Sequence, residues 1–568
     1  MAEPNTSPAP VSPVATTPLP GLAQIDLDSI QDLAGARRAI VQLFNLTEAL
    51  QTTIRQLQEE NQRLRDENNR LKGEQGKPDI KPNKPAAGDH SSEAERRQPR
   101  VWRKTSKRDR ISIQREEIVR VDRAQLPADA EFKGYEDVVV QDLVIQTDNI
   151  LFHKEKYYSP SAQKTYLAPL PLGYAGQFGP GLKALALVQY HACHVSEPKL
   201  LEFFHNVGIV ISAGELSNLL IKEQAVFHAE KTAVYVAGLG SSPWQHCDQT
   251  STRVNGVNQQ CTLVCNPLYT AFFTTASKDR LSILAVLRNL GPLTCRLNAE
   301  AYELGHVLGL PQRVIQTAQT WPQEQDLSEA AFTNLLDACQ PPLGPQQRRH
   351  LLEATAIAAY HHQLELPVIR VLVCDDAPQF NWLTEALALC WIHEGRHYKK
   401  LAPCVPRHRE LQAEFSTQFW DFYAELLGYR THPSPAEKAR LAAEFDRIFA
   451  TVTGYEQLDD RIAKTRLKKA SLLLVLDHPE LPLHNNPAEL GARQRVRKRD
   501  VSFGPRTEEG KQGWDTFQTL AATAKKLGVS FYHYIRDRVS GACTMPSLAD
   551  LIRQRAAQQP LGASWNSG

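Results

Sequence analysis

Four strand-like runs of apolar residues constrain the fold of this chain more than any other feature of its sequence. They are Trp244–Thr250, Gln260–Cys265, Tyr269–Ala276 and Val368–Cys374. The connections between the first three carry Asn255-Gly256 and Asn266-Pro267, which are typical of tight turns, so these runs are predicted to form antiparallel hairpins. The fourth run is uninterrupted and is typical of a buried strand. Together the runs predict a sheet inside an otherwise helical, multidomain α/β chain.

An acidic residue stands in or directly beside three of the predicted elements. Asp248 lies in the first run, and Asp375 directly follows the fourth. Glu489 follows Asn485-Asn486-Pro487, where Asn is a favourable N-cap and Pro a favourable first-turn residue. Two strand-borne carboxylates and one helix-borne carboxylate can converge on a pair of divalent cations, and oxygen ligands suit Mg²⁺. Asp376 is the alternative to Asp375, because neighbouring residues of a strand point to opposite faces.

Spacing alone cannot separate these three residues from surface carboxylates, since the chain has 63 acidic residues. The local motifs are more specific. They are His246-Cys247-Asp248-Gln249-Thr250, Asp375-Asp376-Ala377-Pro378-Gln379-Phe380, Cys390-Trp391-Ile392-His393-Glu394-Gly395-Arg396 and Leu481-Pro482-Leu483-His484-Asn485-Asn486-Pro487-Ala488-Glu489. In these motifs the chain resembles the transposases of the insertion-sequence-sixty-six family, which carry a DDE site on an RNase H-like fold. It departs from that family at Gln249, where Glu is common.

The resemblance implies an enzyme that cleaves and joins DNA at the ends of a mobile insertion element by metal-dependent phosphoryl transfer. Asp248, Asp375 and Glu489 would be its catalytic residues and the ligands of two Mg²⁺ ions, with Mn²⁺ able to substitute. The partners would be double-stranded DNA of the element ends and of the target, together with accessory proteins of the same element. Two alternatives remain open: a catalytically inactive DNA-binding coiled-coil regulator derived from such an enzyme, and a structure-selective nuclease of RNase H type.

The RNase H-like catalytic domain is expected over 236–540, with helical insertions at about 280–366 and 405–477. Within it, a helix is predicted over Asn381–Leu401 and a closing helix pair over Gly513–Arg538. The pattern Cys390, His393, His397 and Cys404 also has the spacing of a structural zinc site. For His393 we favour contact with DNA over a zinc ligand or a packed core histidine.

A heptad repeat dominates the segment 23–72. Leucines occupy consecutive d positions, and Asn61 and Asn68 occupy a positions, where Asn fixes the register and favours two strands. The d leucines are Leu43, Leu50, Leu57, Leu64 and Leu71. Glu60 and Arg65 are placed to attract each other across a parallel pair. The segment therefore predicts a homodimeric coiled coil; the alternative is one amphipathic helix packed on its own body.

Basic residues cluster in two places. The denser cluster follows Glu489 and comprises Arg493, Arg495, Arg497, Lys498 and Arg499. If Glu489 binds metal, these residues are expected near the scissile phosphates, where each contact would make DNA binding more salt-dependent. A second basic run includes Lys104 and Arg108 and predicts further phosphate contacts. The alternative for both is a solvated charged surface.

The remaining segments complete the predicted organisation. We expect a disordered tail over 1–22, a basic flexible linker over 73–115, a small β-rich module over 116–178 and a C-terminal tail over 541–568. Segment 179–235 is predicted to be helical and to bind DNA in the manner of a helix-turn-helix, with Ser212 and Glu215 as a capping box. Its third helix would present Ser217, Asn218, Lys222 and Gln224. A plain helical bundle is the alternative for this segment.

Composition indicates the compartment. The ten cysteines are scattered without the paired spacing of a secreted disulfide framework. The N-terminal residues lack the basic and apolar regions of a signal peptide, and no apolar run is long enough for a membrane span. The sequence thus predicts a cytoplasmic, nucleoid-associated protein without a membrane partner.

Overall fold

The computed structural model describes residues 30, 32–71, 111–174 and 176–566. The predicted tail over 1–22 and most of the predicted linker, including Lys104 and Arg108, lie outside the described residues. The strands are β1 (Lys156–Ser159), β2 (Lys164–Leu167), β3 (Trp244–Val254), β4 (Val257–Asn266), β5 (Tyr269–Thr275), β6 (Thr294–Arg296), β7 (Asp326–Ser328), β8 (Val371–Cys374) and β9 (Ala386–Leu389).

Helices make up most of the regular structure. In the N-terminal half they are α1 (Leu33–Leu71), α2 (Pro180–His191), α3 (Glu197–Asn206), α4 (Ala213–Ile221), α5 (Ala225–Leu239), α6 (Arg280–Leu287), α7 (Ala299–Val307), α8 (Gln312–Ala318) and α9 (Glu329–Asp337). In the C-terminal half they are α10 (Pro345–His362), α11 (Trp391–Lys399), α12 (Pro406–Thr431), α13 (Pro435–Ile448), α14 (Glu456–Arg466), α15 (Lys469–Leu472), α16 (Asn486–Ser502), α17 (Glu508–Lys526), α18 (Phe531–Val539) and α19 (Leu548–Gln558).

A mixed five-stranded sheet, in the order β5-β4-β3-β8-β9, is the centre of the molecule. The hairpins predicted for β3, β4 and β5 are confirmed, since β4 is antiparallel to both neighbours. Asn255 and Gly256 have φ angles of 49° and 76°, which the tight turn between β3 and β4 requires. Strand β8 runs parallel to β3, and β9 runs parallel to β8. The chain is therefore mixed α/β, as the strand-like runs predict.

Helices cover both faces of the sheet. Helix α16 packs so closely on one face that a Cβ on Gly491 would lie 2.6 Å from Leu263 Cδ2. On the other face α5 is equally close, because a Cβ on Gly238 would lie 2.5 Å from the ring of Tyr269. Two glycines thus set the spacing of the three layers.

Helix α17 covers the open edge of the sheet. Three N–H groups of β5 donate to side chains of this helix: Thr270 to Thr523, Phe272 to Thr519 and Thr274 to Asp515. An uncovered edge strand would leave these donors free to pair with another chain. Strand β5 is therefore closed by threonine hydroxyls and a carboxylate in place of a further strand.

Two helical units are inserted into this framework. The first extends from α6 to α10, contains the antiparallel pair of β6 and β7 and encloses an apolar core around Phe332 and Ile315. The second extends from α12 to α15 and packs around Trp391 and Tyr398 of α11. Because α11 also borders the acidic residues described below, the second unit, hereafter the helical insertion, connects directly with them.

Helix α1 lies against this helical insertion through polar side chains. Glu48, which is 1% exposed, accepts hydrogen bonds from the N–H groups of Cys404 and Val405. Asn45 donates to the carbonyl of Gly454 and accepts from the N–H of Glu456. The helix therefore packs on its own chain, but with buried polar residues rather than the apolar face that the single-helix alternative supposes.

The prediction of a small β-rich module over 116–178 is wrong. Among the residues of this segment that the structure describes, the only strands are β1 and β2, and the runs Val138–Val140 and Leu143–Ile145 are not regular structure. Their side chains are exposed, for example 79% for Val140 and 81% for Val144. Alternating apolar residues form a strand only where a core can cover one face, and this segment has none.

Two further predictions require correction. The stretch 381–401 is not one helix, because β9 occupies Ala386–Leu389 and only Trp391–Lys399 is helical. The residues after 540 are not a tail: α19 buries Leu548 and Ile552 completely. Trp565 stacks on His478 with ring centroids 3.6 Å apart. The C-terminal segment belongs to the folded body.

Segment 179–235 contains helices α2 to α5, and the capping box of Ser212 and Glu215 is confirmed. Gln224, however, is buried and donates to the carbonyl of Leu219, so it is not available to DNA. The helix-turn-helix role of this segment stays a prediction. Among the described helices, none has the length and apolar character needed to cross a membrane.

Candidate active site

Asp248 and Asp375 lie side by side on the two neighbouring interior strands β3 and β8, at the carboxyl end of β8. His246 of β3 is paired with Val373 of β8 in parallel register, and two residues further along each strand come the two aspartates. Neighbouring strands are about 4.8 Å apart, and equal steps along them keep the side chains on the same face. That face is the one covered by α16, since Leu263 lies opposite Asp248 in β4 and packs beneath Gly491.

Asn485 brings Glu489 to the same place. Its side chain is 1% exposed and donates to the carbonyl of Cys247 at 2.7 Å. It also accepts from Nδ1 of His246 at 3.0 Å. Asn485 is the N-cap residue of α16, but its side chain makes no capping hydrogen bond. Its amide instead ties the first turn of α16, and with it Glu489, to the strand that carries Asp248.

Helix α11 borders Glu489 on the other side. His393 Nδ1 lies 3.6 Å from Glu489 Oε1, and Arg396 Nη2 lies 3.5 Å from Glu489 Oε2. Within the described part of the chain, Glu489 Oε1 and His393 Nδ1 are buried and have no hydrogen-bond partner. Such atoms are costly unless a ligand or ion satisfies them.

The three carboxylates influence one another electrostatically. Burial, followed by the negative charges of Asp375 and Glu489, raises the pKa of Asp248 to about 7, although its hydrogen bond from the N–H of Gln249 lowers it. Like charges in a desolvated site disfavour ionisation. The acidic residues are thus close enough for mutual repulsion, which a bound cation would relieve.

Asp376 is engaged elsewhere. Its carboxylate pairs with Lys468, and His397 Nε2 lies 3.7 Å away. Lys468 also reaches Glu394 at 3.0 Å, and Glu394 is paired with Arg461. This network joins the loop after β8 to the helical insertion. Of the two neighbouring aspartates, Asp375 is the one whose charge acts on Asp248.

The four residues with zinc-like spacing are divided between different places in the structure. Cys390, His393 and Glu489 have ligand atoms within 4.8 Å of one another. Burial, however, raises the pKa of the Cys390 thiol to about 11, and its Sγ accepts a hydrogen bond from the N–H of Asn485. A cysteine binds zinc as the thiolate. His397 lies beside Asp376, and Cys404 lies at α1, so the four residues with zinc-like spacing do not form one site.

The basic cluster after Glu489 divides between two faces of α16. Arg493 and Arg497, four and eight residues beyond Glu489, are exposed and share its face. Arg499 is partly exposed and donates to the carbonyl of Ser251 at 2.6 Å. The side chains of Arg495 and Lys498 are fully buried.

The prediction that Arg495 and Lys498 bind DNA is therefore wrong. Arg495 pairs with Asp515, and its guanidinium lies 5.6 Å from the ring centroid of Trp514. Lys498 donates to the carbonyl of Tyr190 at 2.6 Å, and burial lowers its pKa to about 7. Both cations fasten α16 to neighbouring elements, so no phosphate can reach them.

One curated protein provides a family for this chain. The uncharacterized protein y4jO of Sinorhizobium fredii (strain NBRC 101917 / NGR234) is 33% identical to it over 324 residues, which cover 56% of this chain and 99% of y4jO. The chain belongs to the y4jO family. No protein-family model matches it, and no solved structure matches it. The name of y4jO states no activity.

In this y4jO-family chain, sequence reasoning did not identify the site's supporting residues. The sequence marks Asn485 as a helix cap and as part of the motif Leu481–Glu489, but not as a bridge to β3, and it does not mark Lys468. Arg396 could have been found, because it stands three residues after His393 and so shares its helix face. No sequence signal marks the pairing of Asp376 with Lys468, which are 92 residues apart.

Proposed function

We propose that this protein is a DDE-type transposase, which cleaves DNA at the ends of a mobile element and joins the freed ends to target DNA. The observation that carries the proposal is the convergence of three carboxylates from distant parts of the chain. Asp248 lies within β3, Asp375 directly follows the adjacent parallel strand β8, and Asn485 holds the helix of Glu489 against β3. A buried acidic cluster of this kind is unfavourable for folding alone and useful for binding cations.

The arrangement of the sheet supports the same proposal. Strand order β5-β4-β3-β8-β9, with only β4 reversed, agrees with an RNase H-like fold. In that fold the first and fourth strands carry acidic residues side by side, and here those strands are β3 and β8. The helical insertion between β9 and α16 agrees with the resemblance noted in the sequence.

The reaction would be two successive phosphoryl transfers. In the first, a water oxygen bonds to the scissile phosphorus, and the bond to the 3′ oxygen breaks, leaving a 3′-hydroxyl. In the second, the oxygen of that hydroxyl bonds to a phosphorus of the target DNA. The bond between this phosphorus and the 3′ oxygen of the target strand breaks. Asp248, Asp375 and Glu489 would hold two Mg²⁺ ions, which supply activation of the nucleophile and charge stabilisation when bound. No net cofactor is consumed.

Other residues of the chain would orient the site and the DNA. Arg396 and His393 restrict the carboxylate of Glu489. Arg493 and Arg497 are exposed on the face of α16 that carries Glu489, so they would bind backbone phosphates next to the scissile one. Gln249 links β3 to the loop after Asp375, because it accepts a hydrogen bond from Gln379 at 3.2 Å.

The test is cleavage and strand transfer with Mg²⁺ on DNA that carries the terminal repeats of the encoding element. Asp248→Asn, Asp375→Asn and Glu489→Gln should each abolish both reactions, with thermal stability and DNA affinity retained. Asp376→Asn is the matched control: it sits one residue from Asp375 but pairs with Lys468, so it should retain most of the activity.

Each alternative gives a distinct result. A regulator derived from a transposase would bind the terminal repeats without cleaving them, and a nuclease of RNase H type would cleave without joining. Full activity of the Asp248→Asn or Asp375→Asn variant would exclude these carboxylates as metal ligands and overturn the proposal.

A further inference from the structure

Helix α1 has two faces with different partners. The ring of Phe44, at an e position, lies 5.9 Å from that of His408, measured between centroids. Four further residues hydrogen-bond to the helical insertion: Asn45, Glu48, Thr52 and Arg55. In the heptad that places the leucines at d, all four are b or f positions. These positions point away from the seam of a two-stranded coiled coil. The contact therefore leaves the a and d positions free.

The contact on the b and f face is made by buried, hydrogen-bonded side chains. Glu48 accepts from the N–H groups of Cys404 and Val405 at 2.9 and 2.7 Å, directly ahead of α12. A carboxylate here satisfies orphan donors and the positive end of the helix dipole. His408 adds a further contact, with Nδ1 3.3 Å from Glu48, and stacks on Tyr455. Burial of Glu48 opposes ionisation, but these hydrogen bonds lower the pKa of its carboxyl overall.

Asn45 makes a second anchor three residues earlier. Its side-chain amide donates to the carbonyl of Gly454 at 3.0 Å and accepts from the N–H of Glu456 at 3.1 Å. Glu456 is the first residue of α14. Helix α1 thus satisfies the N-terminal backbone groups of two different helices, α12 and α14, with two buried polar side chains.

The opposite face remains apolar and exposed. Of the five d leucines, Leu43, Leu57, Leu64 and Leu71 are 48%, 64%, 57% and 77% exposed, and Leu50 is half-buried. A helix of 39 residues is roughly 58 Å long, enough for five heptads of seam. An exposed apolar stripe of that length is unfavourable for a single chain in water.

We propose that α1 is clamped by its b and f face to the helical insertion of its own chain, while its a and d face pairs with α1 of a second copy. The second copy is favoured as occupant because the seam is self-complementary: d leucines meet d leucines. Glu60, which pairs with Arg63 of its own helix, is also placed to attract Arg65 of the partner helix. The two bodies are then joined rigidly rather than by flexible arms. This inference does not depend on the proposed chemistry.

The seam is tested with the full-length protein in which the exposed Cys193 and Cys543 are replaced by Ser. Leu57→Cys should form an intermolecular disulfide under mild oxidation, since d positions face each other in a parallel, in-register pair. Glu59→Cys, two residues away at an exposed f position, is the matched control and should not. Light scattering should show a dimer that Leu43→Lys/Leu57→Lys/Leu64→Lys converts to a monomer.

The clamp is tested by hydrogen exchange at the amides of Cys404 and Val405. Glu48→Gln should speed their exchange at least about tenfold, because each loses a hydrogen bond to a charged acceptor. Glu59→Gln should leave the exchange unchanged. In the monomeric leucine-to-lysine variant both amides should stay protected, because the clamp lies within one chain.

Three outcomes would overturn the inference. They are a wild-type protein that is monomeric at high concentration, disulfide formation by the Glu59→Cys control as readily as by Leu57→Cys, and loss of amide protection in the monomeric variant. The last result would mean that α1 docks on the insertion of the partner. None of these measurements involves DNA or metal, so their failure and the failure of the proposed function are distinguishable.

Discussion

Arg493 and Arg495 stand two residues apart on α16 and belong to different parts of the molecule. Two residues along a helix correspond to a rotation of about 200°, so one side chain faces solvent beside Glu489 and the other enters the core. Arg495 is fully buried and pairs with Asp515, whose carboxylate also accepts from the N–H of Thr274. The same residue type is therefore solvent-exposed in one case and packed in the interior in the other.

The two arginines should separate stability from DNA binding. Arg495→Met should lower the free energy of unfolding by about 3–5 kcal/mol, because it leaves the buried charge of Asp515 without its partner. Arg493→Gln/Arg497→Gln should leave the melting temperature almost unchanged. This double variant should instead reduce the slope of log affinity against log salt by about 1.8, at about 0.9 per phosphate contact.

Calorimetry measures the stability of both variants, and a salt titration of DNA binding measures their salt slopes. A stable Arg495→Met protein with a reduced salt slope would contradict the assignment of Arg495 to the core. An unchanged slope for Arg493→Gln/Arg497→Gln would contradict the phosphate contacts.

Among the elements, α16 shows where sequence reasoning succeeds and where it stops. The start of the helix and the position of Glu489 follow from Asn485 and Pro487, which are local signals. The burial of Arg495 and Lys498 requires periodicity as well: Ala488, Gly491 and Ala492 mark a face of small residues that continues through both cations. The prediction of five phosphate contacts counts the cations from Arg493 to Arg499 without regard to the helix face on which each one lies.

The strands show the same limit. Turn residues and apolar runs were sufficient for β3, β4, β5 and β8, because each signal is local. Strand β9 was missed because Ala386–Leu389 is short and rich in good helix formers, and its pairing with β8 is a tertiary effect. Likewise, the meeting of Asp248 with Glu489 depends on a hydrogen bond between residues 238 apart, for which a single sequence carries no sign beyond family resemblance.

Asn485 should control the placement of α16. Asn485→Ala leaves the Cys247 carbonyl and His246 Nδ1 buried without partners, which should cost about 1–3 kcal/mol for each group. Cleavage should fall further than this loss of stability explains, because Glu489 is no longer held beside Asp248. DNA affinity should change little, since Arg493 and Arg497 remain.

Asn486→Ala is the control, because Asn486 begins the helix without being fully buried. The measurement is the single-turnover cleavage rate at a temperature where both variants are folded. Equal rates for the two variants would show that the bridge from Asn485 to β3 has no part in positioning Glu489.

At the scale of the whole molecule, the C-terminal segment 541–566 packs on the folded body, whereas the sequence predicts a tail there. Helix α19 buries Leu548 and Ile552. The carbonyl of Leu561 accepts from the indole N–H of Trp244, the first residue of β3. The central strand is thus held from the far end of the chain.

Truncation of the two buried side chains measures that attachment. Leu548→Ala and Ile552→Ala should each lower the free energy of unfolding by about 2–5 kcal/mol, the cost of a cavity in a packed core. Gln554→Ala, at an exposed position of the same helix, should change it by less than about 0.5 kcal/mol. Thermal unfolding measures the stability of the three variants. Equal stability of all three would mean that α19 is not packed on the body and that the segment is a tail.

The clamp of α1 also has a consequence in time. Glu48 and Cys404, whose N–H donates to it, are 356 residues apart. A ribosome adds about 5–20 residues per second. Glu48 therefore leaves the ribosome roughly 20–70 s before its binding site has been synthesised. During that interval the leucine seam is complete while the body is not. The earliest partner within reach is another copy emerging from the same message, so two chains can be paired before either has folded.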